Sequence, residues 1–168
     1  MIGTYARDKD AIVATMALCE AAAYYKTQGK TLWDAMIEMY EQFGYYKDAI
    51  QSVTMKGIEG LQKIQEIMNS LRQNPPAEFA GHKVTAVRDY KADTITDVAT
   101  GTVKPTGLPN SNVLYYELTD DAWVCVRPSG TEPKVKFYYG IKGTSLEEAD
   151  AKSESLGKEV LAMIEKML

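Results

Sequence analysis

Near its carboxyl end the chain carries a run of residues with the groups that a loop needs to hold a phosphate. The run is 127–133, Arg-Pro-Ser-Gly-Thr-Glu-Pro, between two apolar stretches that are typical of strands. The Arg127 guanidinium is a planar fork that can bond two oxygens of one anion. Ser129 and Thr131 add hydroxyls, and Gly130 lets successive backbone amides turn inward around an anion. These residue types at this spacing predict a phosphate-binding loop, and the competing interpretation is an ordinary polar turn.

Lysines follow this run at every second position. Lys134 and Lys136 alternate with apolar residues, so both ammonium groups should leave a strand on the same face. The whole chain carries a net charge of −4, which argues against a nucleic-acid-binding protein, because that class usually has an excess of basic residues. Attraction of a phosphate would therefore be local to the loop, and screened beyond about 8–10 Å at physiological salt.

Composition excludes several other classes of site. His82 is the one histidine of the chain, so neither a histidine metal site nor a Ser-His-Asp triad is expected within it. Cys19 and Cys125 lie in apolar runs without CxxC spacing, and we expect both to be buried free thiols, as in a reducing cytosol. No apolar run is long enough to span a bilayer, and no signal pattern opens the chain. We expect a cytoplasmic protein that binds neither nucleic acid nor membrane.

Three segments resemble parts of one enzyme family. Residues 127–137, Arg-Pro-Ser-Gly-Thr-Glu-Pro-Lys-Val-Lys-Phe, resemble the phosphate-binding signature in the C-terminal domain of the α-D-phosphohexomutases, the superfamily of phosphoglucomutases and phosphomannomutases. Residues 108–114 resemble the segment that precedes this signature in bacterial α-phosphoglucomutases. Residues 7–12, Arg-Asp-Lys-Asp-Ala-Ile, are similar to the run that follows the family's sugar-recognition loop in domain 3. The segments occur in the family's order, and the whole pattern is closest to bacterial α-phosphoglucomutases.

The resemblance implies a reaction for the full-length enzyme. That enzyme would interconvert glucose 1-phosphate and glucose 6-phosphate through a phosphoserine, with Mg²⁺ as cofactor and a hexose 1,6-bisphosphate as intermediate. The loop would hold the phosphate that is not reacting. The residues implied as ligands of that phosphate are Arg127, Ser129, Gly130, Thr131, Lys136 and Arg7. Lys9 would face the reacting phosphate and assist proton transfer there.

The family's other functional segments are missing from this sequence. It has no Ser/Thr-Ala-Ser-His-Asn-Pro-like run for a phosphoserine, no Asp-x-Asp-x-Asp-Arg metal loop and no Gly-Glu-x-Ser sugar loop. We therefore expect a C-terminal fragment without a metal site of its own, inactive in the absence of the enzyme's N-terminal domains. Its partners would be those domains and a hexose phosphate. Two alternatives stay open: a stand-alone phosphate-binding module without catalysis, and an enzyme with phosphomannomutase specificity.

The spacing of apolar residues and chain breakers predicts the elements that position the loop. Helices are expected over 8–27, from Thr31 to Gly44, over 57–72, and from Ser145 onward. Strands are expected over 45–55, 83–90, 113–118, 122–127 and about 135–141. Residues 91–112 contain several Gly and Pro residues and are expected to form a long loop.

Together these elements predict an α+β fold. Two helices would cover one face of an antiparallel sheet of four to five strands, and the resemblance implies the same arrangement, of the TATA-binding-protein-like type. Residues 45–168 would be this C-terminal phosphate-binding domain, domain 4, and residues 1–44 a helical remnant of domain 3. Because residues 11–23 are apolar at nearly every position, the remnant should expose apolar surface.

Overall fold

The chain folds into two compact units, Met1–Gly44 and Tyr45–Leu168. The computed structural model describes residues 3–4, 6, 8–55, 57–130 and 132–167. No helix within these described ranges is long and apolar enough to cross a membrane.

The first unit contains two helices, α1 (Ala11–Thr27) and α2 (Leu32–Phe43). Helix α1 begins later than the sequence suggested, because the Asp10 carboxylate accepts a hydrogen bond of 3.0 Å from the backbone amide of Val13 and so caps the helix. The two side chains of a capping box, Thr31 and Asp34, open α2 as expected.

Helix α1 has no buried residue. Several of its large apolar side chains face solvent in this chain; Ile12 is 76% exposed and Met16 is 66% exposed. The expected exposed apolar surface is therefore confirmed. Cys19 lies on the same helix and is also exposed, so the expectation of a buried thiol there is wrong.

The second unit is an antiparallel sheet with two helices. Its elements are β1 (Tyr45–Thr54), α3 (Gly57–Gln73), β2 (Glu78–Phe79), β3 (His82–Asp89), β4 (Thr94–Asp97), β5 (Val103–Lys104), β6 (Leu114–Leu118), β7 (Trp123–Pro128), β8 (Lys134–Gly143) and α4 (Leu146–Met167). The strand order is β1-β8-β7-β6-β3-β4-β5, with β2 paired to β3. The predicted α+β class with an antiparallel sheet is confirmed.

The sheet is wider than predicted, with eight strands among the described residues instead of four to five. Two of the additional strands, β4 and β5, lie inside residues 91–112, which were expected to form a loop. Strand β4 is only four residues long, so its own sequence pattern is too short to predict it. Its hydrogen-bonded pairing with β3 stabilises it. The turn after β4 is closed by the Asp97 carboxylate, which accepts a hydrogen bond of 2.8 Å from the Thr100 amide.

Both helices of this unit pack against one face of the sheet, and the hydrophobic core lies between the helices and that face. On β8 the side chains of Val135, Phe137 and Tyr139 are buried in this core, and they alternate with residues that point to the opposite face. Removing a ring such as that of Phe137, which is 0% exposed, would cost about 3–5 kcal/mol of folding free energy. Helix α4 approaches β8 closely at Gly157, because a Cβ there would meet the Tyr139 hydroxyl.

Candidate phosphate-binding site

The predicted loop joins two adjacent interior strands of the sheet. Strand β7 ends at Pro128 and β8 begins at Lys134, so residues 129–133 connect adjacent antiparallel strands. Arg127 lies directly opposite Lys136 in the register of this pair. Side chains of directly opposed residues leave the same face about 5 Å apart at their Cβ atoms. We call the face that carries them, opposite α3 and α4, the outer face.

Backbone hydrogen bonds link the described residues of the 129–133 loop to the start of β8 and to the end of β1. The Ser129 amide donates to the Lys134 carbonyl at 2.7 Å, and the Lys134 amide donates to the Glu132 carbonyl at 2.8 Å. The loop is also tied to the end of β1, because the Met55 amide donates to the Pro133 carbonyl at 2.8 Å. A loop that is ordered in advance loses less conformational entropy when an anion binds.

Only some of the cations near the loop have a carboxylate partner. The Lys134 ammonium lies 3.0 Å from the Glu132 carboxylate. Within the described part of the chain, neither the Arg127 guanidinium nor the Lys136 ammonium forms an ion pair or a hydrogen bond. Two positive charges therefore stand across from each other without neutralisation, and an anion between them would be attracted by both.

These two cations border a cavity of about 290 Å³. Its lining consists of Arg127, Pro128, Ser129, Gly130, Lys136 and Tyr138. Among the described residues of that lining there is no carboxylate, so its electrostatic character is positive. The arrangement can hold a phosphate by a bidentate guanidinium contact, a second cation and a serine hydroxyl.

Gly130 contributes to this cavity for a different reason than expected. It is absent from the residues with positive φ, so it does not provide the left-handed turn for which glycine is usually needed. A Cβ at Gly130 would have no atom within 4 Å. The glycine therefore leaves space open beside Arg127 rather than permitting a special backbone conformation.

Comparison with known proteins gives the family of this chain. Residues 67–158 match the model of the phosphoglucomutase/phosphomannomutase C-terminal domain. The chain belongs to the phosphoglucomutase/phosphomannomutase family. Phosphoglucomutases of Staphylococcus aureus strains bovine RF122 / ET3-1 and MRSA252 are 36% identical to it over 152 residues. In both cases the match covers 90% of this chain and 27% of the relative, so the chain spans about a quarter of the relatives' length. The resemblance found in the sequence is thus confirmed.

The structure of this phosphoglucomutase/phosphomannomutase domain brings some, but not all, of the predicted phosphate ligands together. It brings Arg127, Ser129, Gly130 and Lys136 together around one cavity. Thr131 and Arg7 lie outside the described residues. Lys9 belongs to the first unit.

The environment of Lys9 is that of a surface residue. Its ammonium bonds to the neighbouring Asp8 carboxylate at 2.9 Å, and the two side chains are 91% and 82% exposed. Such a pair contributes little to stability. The expected role of Lys9 in proton transfer rests on the resemblance alone.

Sequence reasoning missed Tyr138 as a member of the site. Its side chain lines the cavity because it lies two positions beyond Lys136 on β8 and hence on the same face. That alternation was visible in the sequence. The register that brings it beside β7 was not.

A second and larger cavity, of about 560 Å³, adjoins the first and shares Arg127 and Tyr138 with it. Cys125 lies in its lining and is half-buried. Burial raises the pKa of the Cys125 thiol, and the nearby Arg127 charge opposes part of that rise. The thiol is therefore predominantly neutral near pH 7.

Proposed function

We propose that this chain supplies the domain that grips a substrate phosphate in a phosphohexomutase. The observation that carries the proposal is the pair Arg127 and Lys136, two cations directly opposed on neighbouring strands, without a carboxylate partner among the described residues, bordering one cavity. Membership of the phosphoglucomutase/phosphomannomutase family supports it. The phosphate concerned would be the one that is not reacting. On this proposal the second unit is domain 4 of the enzyme and the first unit is a remnant of domain 3.

In the longer enzyme the loop would contribute orientation rather than bond making. A phosphoryl group would pass from a phosphoserine to a hexose phosphate and return from the bisphosphate after it reorients. Holding the distant phosphate fixes the reacting oxygen, so binding energy far from the reaction lowers the barrier. Each hydrogen bond to a charged group contributes roughly 1.5–3 kcal/mol, and several together reach about 5 kcal/mol.

This chain's described residues do not fit the magnesium ion that the family implies. They contain no group of three or more His, Cys, Asp or Glu side chains that could hold a metal ion. We therefore assign no step to the metal here, and propose that it binds to the enzyme's other domains, which would also carry the phosphoserine. The chain alone should then show no mutase turnover. We further propose glucose phosphates as substrates, in preference to mannose phosphates, and a cytoplasmic location.

Calorimetric titration of the chain with glucose 6-phosphate tests the proposal. We expect binding in the millimolar range that weakens as salt rises. Arg127→Ala should weaken it about 100-fold, because two charge-assisted hydrogen bonds are lost. In the longer enzyme the same variant should lower kcat/KM by a similar factor.

Lys142→Ala is the matched control. It removes a cation from the same strand, but one whose ammonium lies 2.8 Å from the Asp121 carboxylate and outside the cavity lining. Its affinity should match that of the unaltered chain. Equal affinities of the Arg127 variant and the unaltered chain would refute the proposed function.

A further inference from the structure

One residue of the 129–133 loop carries the wrong charge for an anion site. Glu132 places a carboxylate in the loop itself, and its side chain is 59% exposed. A negative charge at this place repels an approaching phosphate. The partner of the carboxylate is the Lys134 ammonium, 3.0 Å away. The effect of Glu132 on the site therefore depends on what Lys134 would do without it.

Lys134 lies within reach of the phosphate cavity. It is two positions before Lys136 on β8, so both side chains leave the outer face, about 7 Å apart along the strand. The register of β7 and β8 pairs Pro128 with Val135, so its next step sets Lys134 opposite Ser129, which lines the cavity. Opposed side chains start about 5 Å apart at their Cβ atoms. The flexible four-carbon stem of a lysine can bridge such a gap.

The ion pair with Glu132 keeps the Lys134 ammonium away from that cavity. Lys136 belongs to the lining, whereas Lys134 does not. The loop thus carries one more cation whose charge is neutralised before a phosphate arrives. Because an ion pair between exposed side chains is weak, the ammonium can change partners readily. A phosphate has to compete with the Glu132 carboxylate for it.

The carboxylate of Glu132 can be separated from the part that this residue plays in the loop's backbone. The Glu132 amide donates a hydrogen bond of 3.3 Å to the Ser129 hydroxyl. The Glu132 carbonyl accepts a bond of 2.8 Å from the Lys134 amide. Both bonds use backbone groups, so Glu132→Gln keeps them and removes only the side-chain charge. This substitution isolates the electrostatic role.

We propose that Glu132 limits the affinity of the loop for phosphate by holding the Lys134 ammonium outside the cavity. This rests on the proposed function, in which the phosphate leaves the loop whenever the bisphosphate reorients. Tighter binding of a ground state does not lower the barrier of the reaction. Two cations, Arg127 and Lys136, then grip the phosphate, and Glu132 withholds the third.

Calorimetric titration of Glu132→Gln with inorganic phosphate tests the inference. We expect affinity to rise about three- to tenfold, because the released Lys134 ammonium adds a charge beside the anion. Binding should also fall more steeply as salt is added, since one more cation takes part. A damaged loop would lose affinity and would not gain it. In the longer enzyme the same variant should lower KM and kcat together.

Two matched variants identify the cause of the gain. Asp121→Asn makes the same change in net charge and releases Lys142, which lies on the same strand and is paired at 2.8 Å outside the cavity lining. Its phosphate affinity should equal that of the unaltered chain. Adding Lys134→Met to Glu132→Gln should abolish the gain. A gain that persists in this double variant overturns the role of the ion pair.

The remaining outcomes separate this inference from the proposed function. Unchanged or weaker phosphate binding in a folded Glu132→Gln variant overturns the inference, whereas phosphate binding that depends on Arg127 would still stand. Should Glu132→Gln fail to fold, Lys134→Met replaces it and should keep phosphate affinity within about twofold, because the ammonium is already withheld. A larger loss there overturns the inference. Absence of phosphate binding in the unaltered chain overturns both.

Discussion

The two ends of strand β7 carry turns of opposite chemistry. The turn before it, residues 119–122, is acidic, and each of its carboxylates has a partner. Asp120 lies 3.0 Å from His82 Nδ1 and Asp121 lies 2.8 Å from the Lys142 ammonium. The loop after it, residues 129–133, is flanked by Arg127 and Lys136, which have no such partner among the described residues.

The backbone conformation also differs between the acidic turn at 119–122 and the loop at 129–133. Asp120 and Asp121 have φ values of 62° and 57°, so the acidic turn accepts left-handed geometry at non-glycine residues to reverse the chain tightly. Gly130 is not left-handed and has empty space around its missing side chain. The acidic turn uses its charges and its strain to close a hairpin. The other loop keeps charge and space available for a ligand.

Reversing the charge at Lys136, beside the 129–133 loop, should have the largest effect on affinity for glucose 6-phosphate. Lys136→Glu would place a carboxylate opposite Arg127 and form an internal cross-strand ion pair there. It removes one cation and neutralises the other, so glucose 6-phosphate affinity should fall more than 100-fold while the thermal midpoint changes little. Titration and thermal unfolding measure the two effects.

The same charge reversal at Lys142, whose ammonium pairs with Asp121 of the acidic turn, is its control. Lys142→Glu lies on the same strand, and it would set a second carboxylate beside Asp121. We expect a small loss of stability from like-charge repulsion, with affinity retained. Equal losses of affinity in the two variants would mean that net charge, and not the loop, attracts the ligand.

Local patterns were the part of the fold that the sequence could predict. Helix α3 and strand β8 followed from apolar spacing, and the start of α2 followed from Thr31 and Asp34, because these signals depend on neighbours along the chain. Strands β4 and β5 could not be found in this way. They are four and two residues long, too short to show a clear alternation of apolar and polar residues, and they are held by pairing of β4 with β3 and of β5 with β4.

The site divides along the same line. Arg127, Ser129 and Lys136 could be identified because they are close together in sequence and their order resembles a known signature. Tyr138 and the larger cavity could not, because they depend on the register of β8 against β7 and on a wall that comes from the 106–113 segment. Gly130 was identified for a conformational reason that the backbone does not support.

Substitutions in the acidic turn should change the free energy of unfolding and leave the affinity for glucose 6-phosphate unchanged. Asp120→Val puts a β-branched residue at φ 62°, which should cost about 1–2 kcal/mol of folding free energy. Chemical denaturation measures this loss. Asp120→Asn, which tolerates the left-handed conformation, should cost less, and both variants should bind glucose 6-phosphate as the unaltered chain does. Weakened binding in Asp120→Val would contradict the separation of the two ends.

Gly130→Ala gives the smallest effect and the most specific one. The backbone there is not left-handed and a Cβ meets no atom within 4 Å, so the folded chain should tolerate alanine and gain about 0.4–1 kcal/mol of stability from a less flexible unfolded state. The methyl group would project into space that the phosphate needs, so affinity for inorganic phosphate should fall several-fold. Stability and affinity would then move in opposite directions, which is the behaviour of a residue retained for ligand access. If Gly130→Ala binds phosphate as tightly as the unaltered chain does, the anion does not occupy this space. The binding position would then lie closer to Lys136.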